Sequence, residues 1–352
     1  MSLDRLQIAG LRNLREAELA PGPGLNWLHG LNGAGKTSVL EAIYLLARGR
    51  SFRSHRIGPI IQHGCEQIQV VARRRQDGRM LGMERSVATW RGRIAGQDSR
   101  RLSEFAAKLP LVLMEPDSHR LVDGGPEHRR QYLDWQLFHV EHDYLSTWQR
   151  YARMLRQRNT ALKTAEDDAL LRALERPMAE AGEVITRLRA DWVSRLNLAV
   201  SALADQLGIV LPGPVTLRYR SGHPADVDLA DSLAAARLRD REAGFTRQGP
   251  HRADMVLACS DQPAAQELSR GQQKLLALLL LLAQLESLLS GAGPAPMLLL
   301  DDPVSELDGR HLGLVLDWVS AHPVQTWVTS TSDCPGPATV FHVEQGWISA
   351  MV

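Results

Sequence analysis

The sequence predicts an α/β fold with a buried parallel sheet, interrupted by an all-helical insertion, and three stretches carry that reading. The first is a short apolar run, Leu25–His29. It enters the segment Gly30-Leu31-Asn32-Gly33-Ala34-Gly35-Lys36-Thr37 and leaves it as a helical pattern, apolar at Val39, Leu40, Ile43 and Leu46. The second is Met297-Leu298-Leu299-Leu300, an unbroken apolar run closed by Asp301 and Asp302; parallel strands covered on both faces read this way. The third runs from His128 to about Gln206. There Leu133, Leu137, Val140, Tyr144, Trp148, Tyr151 and Leu155 recur at helical spacing, as do Met178, Ala181, Ile185, Leu188, Trp192, Leu196 and Leu203.

At 352 residues the chain has room for two domains. Apolar residues at 44% and charged residues at 23% are those of an ordinary soluble globular protein, and a net charge of +1 gives no bulk polyelectrolyte attraction. Lys36, Lys108, Lys163 and Lys274 are the only lysines; the remaining positive charge is arginine, as a coding bias would give. Arginine also suits phosphate contacts, because its fork binds two oxygens at once. Cys65, Cys259 and Cys334 are too scattered for a disulfide framework or a zinc site. They fit a reducing cytosol. With no charged-then-apolar export pattern at the N-terminus, the expected location is cytoplasmic. The longest apolar run, Leu275–Leu289, is broken by Gln284 and Glu286 and is short for a membrane span; it reads as a buried helix.

In chain order, residues 3–9 alternate as a strand, 11–14 turn, and 15–20 return as a second strand. Ser38–Leu46 is the helix after the glycine-rich segment, and Gly49–Arg53 is a basic loop. Gln67–Arg73, Met80–Trp90 and Arg93–Ala95 read as a strand meander, with Gln76-Asp77-Gly78 as a hairpin turn. Leu102–Leu109 reads as a short helix and Leu111–Met114 as a buried strand. The helical stretch divides into two helices of about 30 residues, roughly 45 Å each, with Pro177 at the first position of the second. They are too short and too aromatic for an extended coiled coil and predict a compact arm. Leu211-Pro212-Gly213-Pro214 leads back to a strand at Val215–Tyr219, a helix over Leu229–Arg241 and a strand at Asp254–Cys259. The expected domains are a head formed by 1–125 and 213–352, and an inserted helical domain at 126–212.

The chemistry lies outside the insertion. Gly30–Thr37 fits G-x-x-x-x-G-K-[ST], a loop whose backbone N–H groups cradle phosphates. The pattern alone is short enough to arise by chance, so the strand before it and the helix after it decide. They place a helix N-terminus under the phosphates, where its partial positive charge favours an anion. Lys36 then reaches the β and γ phosphates, and the Thr37 hydroxyl ligates Mg²⁺. Asp301 and Asp302 leave the carboxyl end of a parallel strand, where ligands bind. Asp301 is the expected Mg²⁺ partner, and Asp302 the residue that orients the attacking water. Leu268-Ser269-Arg270-Gly271-Gln272-Gln273-Lys274 opens a long apolar helix, and Ser269, Gly271 and Gln272 make a second anion nest there. One γ phosphate needs only one such set in cis. A head-to-tail dimer resolves the surplus: the Ser269 nest of one subunit caps ATP held by the loop of the other. Asp302–Asp308 lies at that seam, and the hydroxyl run Thr329-Ser330-Thr331-Ser332 sits where a γ-phosphate sensor belongs.

Further segments complete a pattern. They are Ile8-Ala9-Gly10-Leu11-Arg12-Asn13, Leu40-Glu41-Ala42-Ile43-Tyr44, Gly49–Arg53, Glu115-Pro116-Asp117, Gly125–Arg130 with Leu133-Asp134, Gly249-Pro250-His251-Arg252, and Leu299–Asp308. In this order the motifs resemble the ABC-type ATPase heads of the SMC class, and more narrowly the RecF family of bacterial recombination mediators, across nearly the whole chain. The resemblance implies an ABC-type P-loop ATPase head of two lobes, without the long coiled coil of SMC proteins. It implies an ATP-dependent homodimer that binds double-stranded and gapped DNA, with ATP and Mg²⁺ as cofactors and weak, DNA-stimulated ATPase activity. Work at single-strand gaps with RecR and RecO, loading RecA, is implied as well. The implied nucleotide contacts are Gly30, Leu31, Asn32, Gly33, Ala34, Gly35, Lys36, Thr37, Ser38 and Arg12, with Ser269, Gly271 and Gln272 from the partner. Lys36, Asp301 and Asp302 are the implied catalytic residues, and Thr37 and Asp301 the metal ligands. Two departures from general ABC heads point to slow hydrolysis: Asp302 stands where many have glutamate, and Thr329–Ser332 lacks the usual switch histidine. Glu115 is the candidate for the Mg²⁺-sensing loop.

Candidate DNA contacts are Arg50, Arg53, Arg73, Arg74, Arg129 and Arg130, with Arg75, Arg91 and Arg93 near them. Phosphate-dominated binding of this kind is salt-sensitive and reads no bases. Arg150, Arg153, Arg156 and Arg158 read first as a solvated helix face, His139 and His142 as a solvated pair rather than a metal half-site, and Trp135, Trp148 and Trp192 as core. Two other functions compete: a transporter ATPase subunit, and a scaffold that binds nucleotide without hydrolysing it. The helical insertion, the 235 residues between Lys36 and Gly271, and the missing histidine oppose the first. Intact Lys36, Thr37, Asp301 and Asp302 oppose the second.

Overall fold

The computed structural model describes residues 2–164 and 168–351. Residues 165–167, inside the expected helical stretch, lie outside the described residues. In chain order the elements are β1 (Leu3–Ala9), β2 (Ala17–Leu19), β3 (Leu25–His29), α1 (Lys36–Arg48), β4 (Ile68–Arg74), β5 (Met80–Arg85), β6 (Trp90–Ile94), β7 (Gln97–Ser99), α2 (Leu102–Lys108) and β8 (Leu111–Met114). Then come α3 (Arg120–Asp123), α4 (Pro126–Val140), α5 (Tyr144–Thr164), α6 (Ala169–Leu207), β9 (Val215–Arg220), α7 (Leu229–Ala243), β10 (Asp254–Cys259), β11 (Gln262–Pro263), α8 (Ala264–Glu267) and α9 (Arg270–Leu289). The chain closes with β12 (Met297–Leu300), α10 (Pro303–Glu306), α11 (Gly309–Ser320), β13 (Gln325–Ser330), β14 (Thr339–Glu344) and β15 (Trp347–Met351).

These elements divide into two compact units, 1–118 with 284–352, and 119–283. The first is built on two six-stranded sheets. One has the order β15-β14-β3-β13-β12-β8, parallel from β14 to β8 and closed at one edge by the antiparallel β15. Strand β12, between β13 and β8, is buried at every position, as its unbroken apolar run requires. The other sheet, β2-β1-β4-β5-β6-β7, is an antiparallel meander. Helix α1 touches β13 of the parallel sheet and β4 and β5 of the meander. Covered on both sides, it is buried from Val39 through Ala47 rather than along one stripe. The expected strand Met80–Trp90 is two strands: Arg85 and Trp90 pair across a turn in which the Ser86 hydroxyl accepts from the Thr89 N–H.

The second unit holds α3 to α8, the sheet β11-β10-β9 and the start of α9. The expected insertion, 126–212, falls wholly inside it, but β9, α7 and β10 group there as well, so this division does not follow the expected head boundaries. Among the described residues the helical stretch is three helices, not two. Pro177 lies inside α6, which runs for 39 residues, rather than at a helix start. Its ring leaves the Ala173 carbonyl without a helical donor. Ala173 is exposed, so water can take that carbonyl. The rows Met178, Ala181, Ile185, Trp192, Leu196 and Leu203 are buried as expected.

On α5 the buried seam is Tyr144, Tyr151 and Arg158, at seven-residue spacing. Trp148 is off this seam and 41% exposed, against the core role expected of it. Arg158, read as part of a solvated face, is fully buried. Its guanidinium donates to Glu175 at 3.1 and 3.3 Å, to Asp240 at 2.6 Å, to the Thr246 hydroxyl at 2.8 Å and to the Leu233 carbonyl at 3.2 Å. Arg237 holds the other side of Glu175.

Removing one member of a buried charge network strands the others. Arg158→Met should therefore lower unfolding free energy by about 3 to 5 kcal/mol in urea titrations. Asp240→Asn in the same chain should restore part of that, because it removes the stranded charge. A loss under about 1 kcal/mol would place the pair in the class of solvated surface bridges instead.

Candidate nucleotide site

The parallel order of β3, β13 and β12 brings the carboxyl ends of three adjacent strands to one edge of the sheet. From β3 the chain turns through Gly30–Gly35 into α1. No side chain fits at Gly30, where a Cβ would stand 2.1 Å from the Val343 carbonyl oxygen. The turn is pinned by the Asn13 side-chain amide, which donates to the Gly33 carbonyl at 3.0 Å. Next to it, Arg12 grips the buried Glu41 with two bonds of 2.8 and 2.9 Å, and the Ser51 hydroxyl also donates to Glu41. Arg12 thus lies beside the loop, held by a carboxylate of α1.

Lys36 is folded onto its own loop. Its Nζ donates to the carbonyls of Gly30 at 2.7 Å and Leu31 at 2.9 Å. Burial draws its pKa down, and the charges of Asp302 and Asp301 oppose that. The Thr37 hydroxyl donates to Asp301 Oδ1 at 2.8 Å, and the Thr329 hydroxyl donates to the same oxygen at 2.9 Å. Thr329 Oγ1 also accepts the Asp302 N–H at 2.8 Å, so one hydroxyl touches both acidic positions. Burial raises the Asp301 pKa; the two hydroxyl donors and the charge of Arg53 pull it back. Asp302 sits in the left-handed region at φ 49° and accepts from the Ser305 hydroxyl at 2.6 Å. A cavity of about 160 Å³ opens here, lined by Asn32, Gly33, Gly35, Lys36, Thr37, Ser38, Arg53, Asp302 and Thr329. Leu31, at the loop's tip, is 82% exposed, and Ala34 is buried. Glu115 follows β8 at this same end of the sheet, where the Asp301 N–H meets the Met114 carbonyl at 2.8 Å.

Thr37 and Asp301 form an all-oxygen pair, the donor chemistry Mg²⁺ prefers. A buried carboxylate whose ionisation is opposed by burial is also what a divalent cation would relieve. Among the described residues no group of three or more His, Cys, Asp or Glu could hold a metal. Ser269, Gly271 and Gln272 lie in the other unit, at the exposed start of α9. The Gln272 side chain accepts from the Ser269 N–H at 2.9 Å and Ser269 Oγ accepts from the Gln272 N–H at 3.4 Å, a reciprocal cap of the helix start.

The arginines expected to face DNA have scattered. Arg53 lines the cavity beside the glycine loop. Arg129 is buried in a two-pronged grip on Asp254, at 2.7 and 3.1 Å, and also donates to the Gly124 carbonyl. Arg130 donates to the Ala253 carbonyl at 2.8 Å. These two brace α4 against β10; a DNA role for Arg129 fails because its fork is already filled away from solvent. Arg73 pairs with Asp4 at 2.7 Å and Arg74 with Asp77 at 3.5 Å, both near the meander's surface. Arg50 is exposed in the loop after α1. Sequence reasoning missed the Arg12–Glu41–Ser51 cluster and the approach of Arg53 to Asp301. The only signal for either was closeness in sequence to α1.

Comparison with known proteins agrees with this geometry. The family model for the RecF/RecN/SMC N terminal domain matches residues 2–334. A DNA replication and repair protein RecF of Xanthomonas axonopodis pv. citri is 43% identical over 99% of this chain and 98% of its own length. Its counterpart in Stutzerimonas stutzeri is 41% identical over 100% and 98%. A solved structure of the recombination mediator protein RecF with ATPrS superposes with a TM-score of 0.88 at 25% identity, covering 100% of this chain and 98% of that one. An Smc head domain of Pyrococcus furiosus, at 15% identity and a TM-score of 0.59 over 99% and 95%, shares the fold. The fold is thus that of an ABC-type P-loop ATPase head.

An acid whose folded pKa is raised contributes stability below its ordinary range and loses it as pH rises through the raised value. Asp301 therefore costs the fold stability at neutral pH. Asp301→Asn should raise the unfolding temperature at pH 7.5 relative to wild type, with a smaller gain or none at pH 4, while losing Mg²⁺-dependent nucleotide binding. Equal shifts at both pH values in thermal unfolding would show that the Asp301 charge is not the cause.

Proposed function

The chain belongs to the RecF family, and we propose that it is an ATP-gated DNA-binding protein of replication and recombinational repair. The observation that carries this is the convergence of the Thr37 and Thr329 hydroxyls on one Asp301 carboxylate oxygen, beside Lys36 and Asp302, at the carboxyl edge of a parallel sheet. In this reading Gly30–Ser38 cradles the phosphates of ATP, and Lys36 exchanges the Gly30 and Leu31 carbonyls for phosphate oxygens. Arg12 and Asn13 brace the loop beside the nucleotide. Thr37 and Asp301 hold Mg²⁺, which when bound supplies charge neutralisation between the phosphates. Asp302 orients the attacking water and Thr329 couples it to Asp301.

Ser269, Gly271 and Gln272 of a second copy complete the site, so ATP closes a homodimer. The head is the two-lobed 1–125 with 213–352, and 126–212 is the inserted helical domain. The dimer clamps DNA at single-strand gaps, and slow, DNA-stimulated hydrolysis releases it. The relatives named for DNA replication and repair and the solved RecF structures in the RecFOR pathway support that setting; in this reading RecO and RecR are the partners, RecA loading is the outcome and the cytoplasm is the location. With Arg129 buried against Asp254, Arg50, Arg73, Arg74 and the half-buried Arg130 remain candidate phosphate contacts. The absence of a switch histidine and the short reach of Asp302 favour a clamp over a pump.

Fluorescence anisotropy on gapped duplex DNA tests the reading. Wild type should bind more tightly with ATP and lose affinity steeply with salt, whereas Lys36→Arg should show little response to ATP. An ATP response absent from both DNA affinity and dimerisation in wild type would overturn the proposal. Ser269→Arg should still bind nucleotide but remain monomeric by light scattering; dimerisation of that variant with ATP would remove the cross-subunit cap.

A further inference from the structure

The loop after α1 runs back along the helix toward the nucleotide site. The Gly49 N–H closes α1 by donating to the Leu45 carbonyl at 2.7 Å. Phe52 sets its ring edge-on to Tyr44, with 5.3 Å between centroids. The Ser51 hydroxyl donates to Glu41. Arg53 then shares a cavity wall with Thr37 and Ser38, in the first turn of the helix. Together these contacts carry the chain from the last turn of α1 back to its first, a span of about 12 Å at 1.5 Å per residue.

Ser51 pins this return. It is buried, and its hydroxyl has one proton to give and two lone pairs to share. All three are in use: the proton goes to Glu41 Oε1, and the Arg53 and Ser54 N–H groups each donate to Oγ at 3.0 Å. Glu41 is itself fully buried. A carboxylate buried that deeply needs a cation, and Arg12 supplies it with bonds of 2.8 and 2.9 Å. The backbone of Arg53 is therefore tied, through one hydroxyl, to a buried ion pair.

The guanidinium of Arg53 is not taken up by this scaffold. Arg53 is exposed, and among the described residues its guanidinium has no hydrogen-bond or ion-pair partner. It lines the cavity of about 160 Å³ together with Lys36, Asp302 and Thr329. Its charge also reaches Asp301. These are the groups that the proposed function sets at the γ-phosphate end of ATP, and the inference rests on that reading. An arginine whose backbone is fixed beforehand gives up less freedom when it grips an anion. We propose that Ser51, anchored on Glu41, is a positioning residue that holds Arg53 toward the γ phosphate, so that the cavity distinguishes ATP from ADP.

The test is a double-mutant cycle of Ser51→Ala and Arg53→Ala, read by calorimetric titration of the full-length protein with ATPγS and with ADP, each with Mg²⁺. Arg53→Ala should weaken ATPγS binding about tenfold, the size expected for one charge-assisted hydrogen bond, and ADP binding less than about twofold. Ser51→Ala should show the same selective loss at about fivefold, and the double variant should bind no more weakly than Arg53→Ala alone, because two residues acting through one group do not add. Ser51→Thr, which keeps the hydroxyl, should bind ATPγS as wild type does. Ser51→Cys, of similar size but weaker hydrogen bonding, should give a smaller loss of the same selective kind, which keeps the test open if the alanine variant is unstable. A merely structural Ser51 would lower affinity for both nucleotides alike and add to the Arg53 loss. Either result would overturn the proposal, as would ATPγS affinity unchanged in Ser51→Ala. A wild type that binds neither nucleotide would overturn the nucleotide reading itself, and this inference with it.

Discussion

The site depends on a single buried carboxylate oxygen, Asp301 Oδ1, that takes hydrogen bonds from Thr37 and Thr329. The three residues leave three neighbouring strands or their loops, so the contact can form only if β3, β13 and β12 lie side by side and parallel. Sheet order and chemistry are thus one constraint. The arrangement has a cost: burial opposes the Asp301 charge, and the two neutral hydroxyls stabilise it less than a cation would. A fold selected only for stability would place an apolar residue there. The tension at Asp301 is a local departure from the otherwise apolar strand Met297–Leu300, and such departures collect at functional sites.

A second polar anchor follows from the way α1 is buried. Helices covered on one side can turn their charges to water, but α1 lies between two sheets and has nowhere to turn Glu41, which is 0% exposed. The charge is met instead by Arg12 and Ser51, which come from the segments before β2 and after α1. That clasp has a geometric result. It fixes Arg12 and Asn13 beside the glycine loop, where Asn13 already holds the Gly33 carbonyl. The packing demand of a buried helix thereby shapes the wall of the phosphate cavity.

Much of this was legible because the informative signals are local. A strand, a glycine loop and a helix in sequence order describe their own geometry, as does an apolar run ending in two aspartates. Long-range partners leave no such trace. Arg158 sits among Arg150, Arg153 and Arg156 and looks like one more solvated charge; only the approach of Glu175 and Asp240 reveals it as core. Arg129 likewise reads as a DNA contact until β10 supplies Asp254. Pro177 departs from the expectation for a different reason: a proline rule about helix starts gives way to packing on both sides of it, with Leu171 before it and Met178 and Ala181 after it seated in the core. The β14–β15 edge hairpin went unread, because its short strands follow a run of serine, glycine and proline without strong alternation.

The two halves of the proposed ATP site share one property. Each is satisfied by its own chain: Lys36 by the Gly30 and Leu31 carbonyls, and the start of α9 by the Ser269–Gln272 cap. Binding phosphate therefore exchanges internal hydrogen bonds for external ones instead of filling bare donors. Exchanges of this kind yield only about 0.5 to 1.5 kcal/mol per bond, with more where a charge takes part. In the dimer proposed above, a site assembled from two such self-satisfied halves would close with a modest net free energy and reopen once the γ phosphate is lost. The proposed release of DNA would need that balance. A cap made only of unpaired donors would bind tightly and release slowly. On this reading the serine and glutamine at the start of α9 serve twice, first as a helix cap and then as half of a phosphate site, and each role sets the strength of the other.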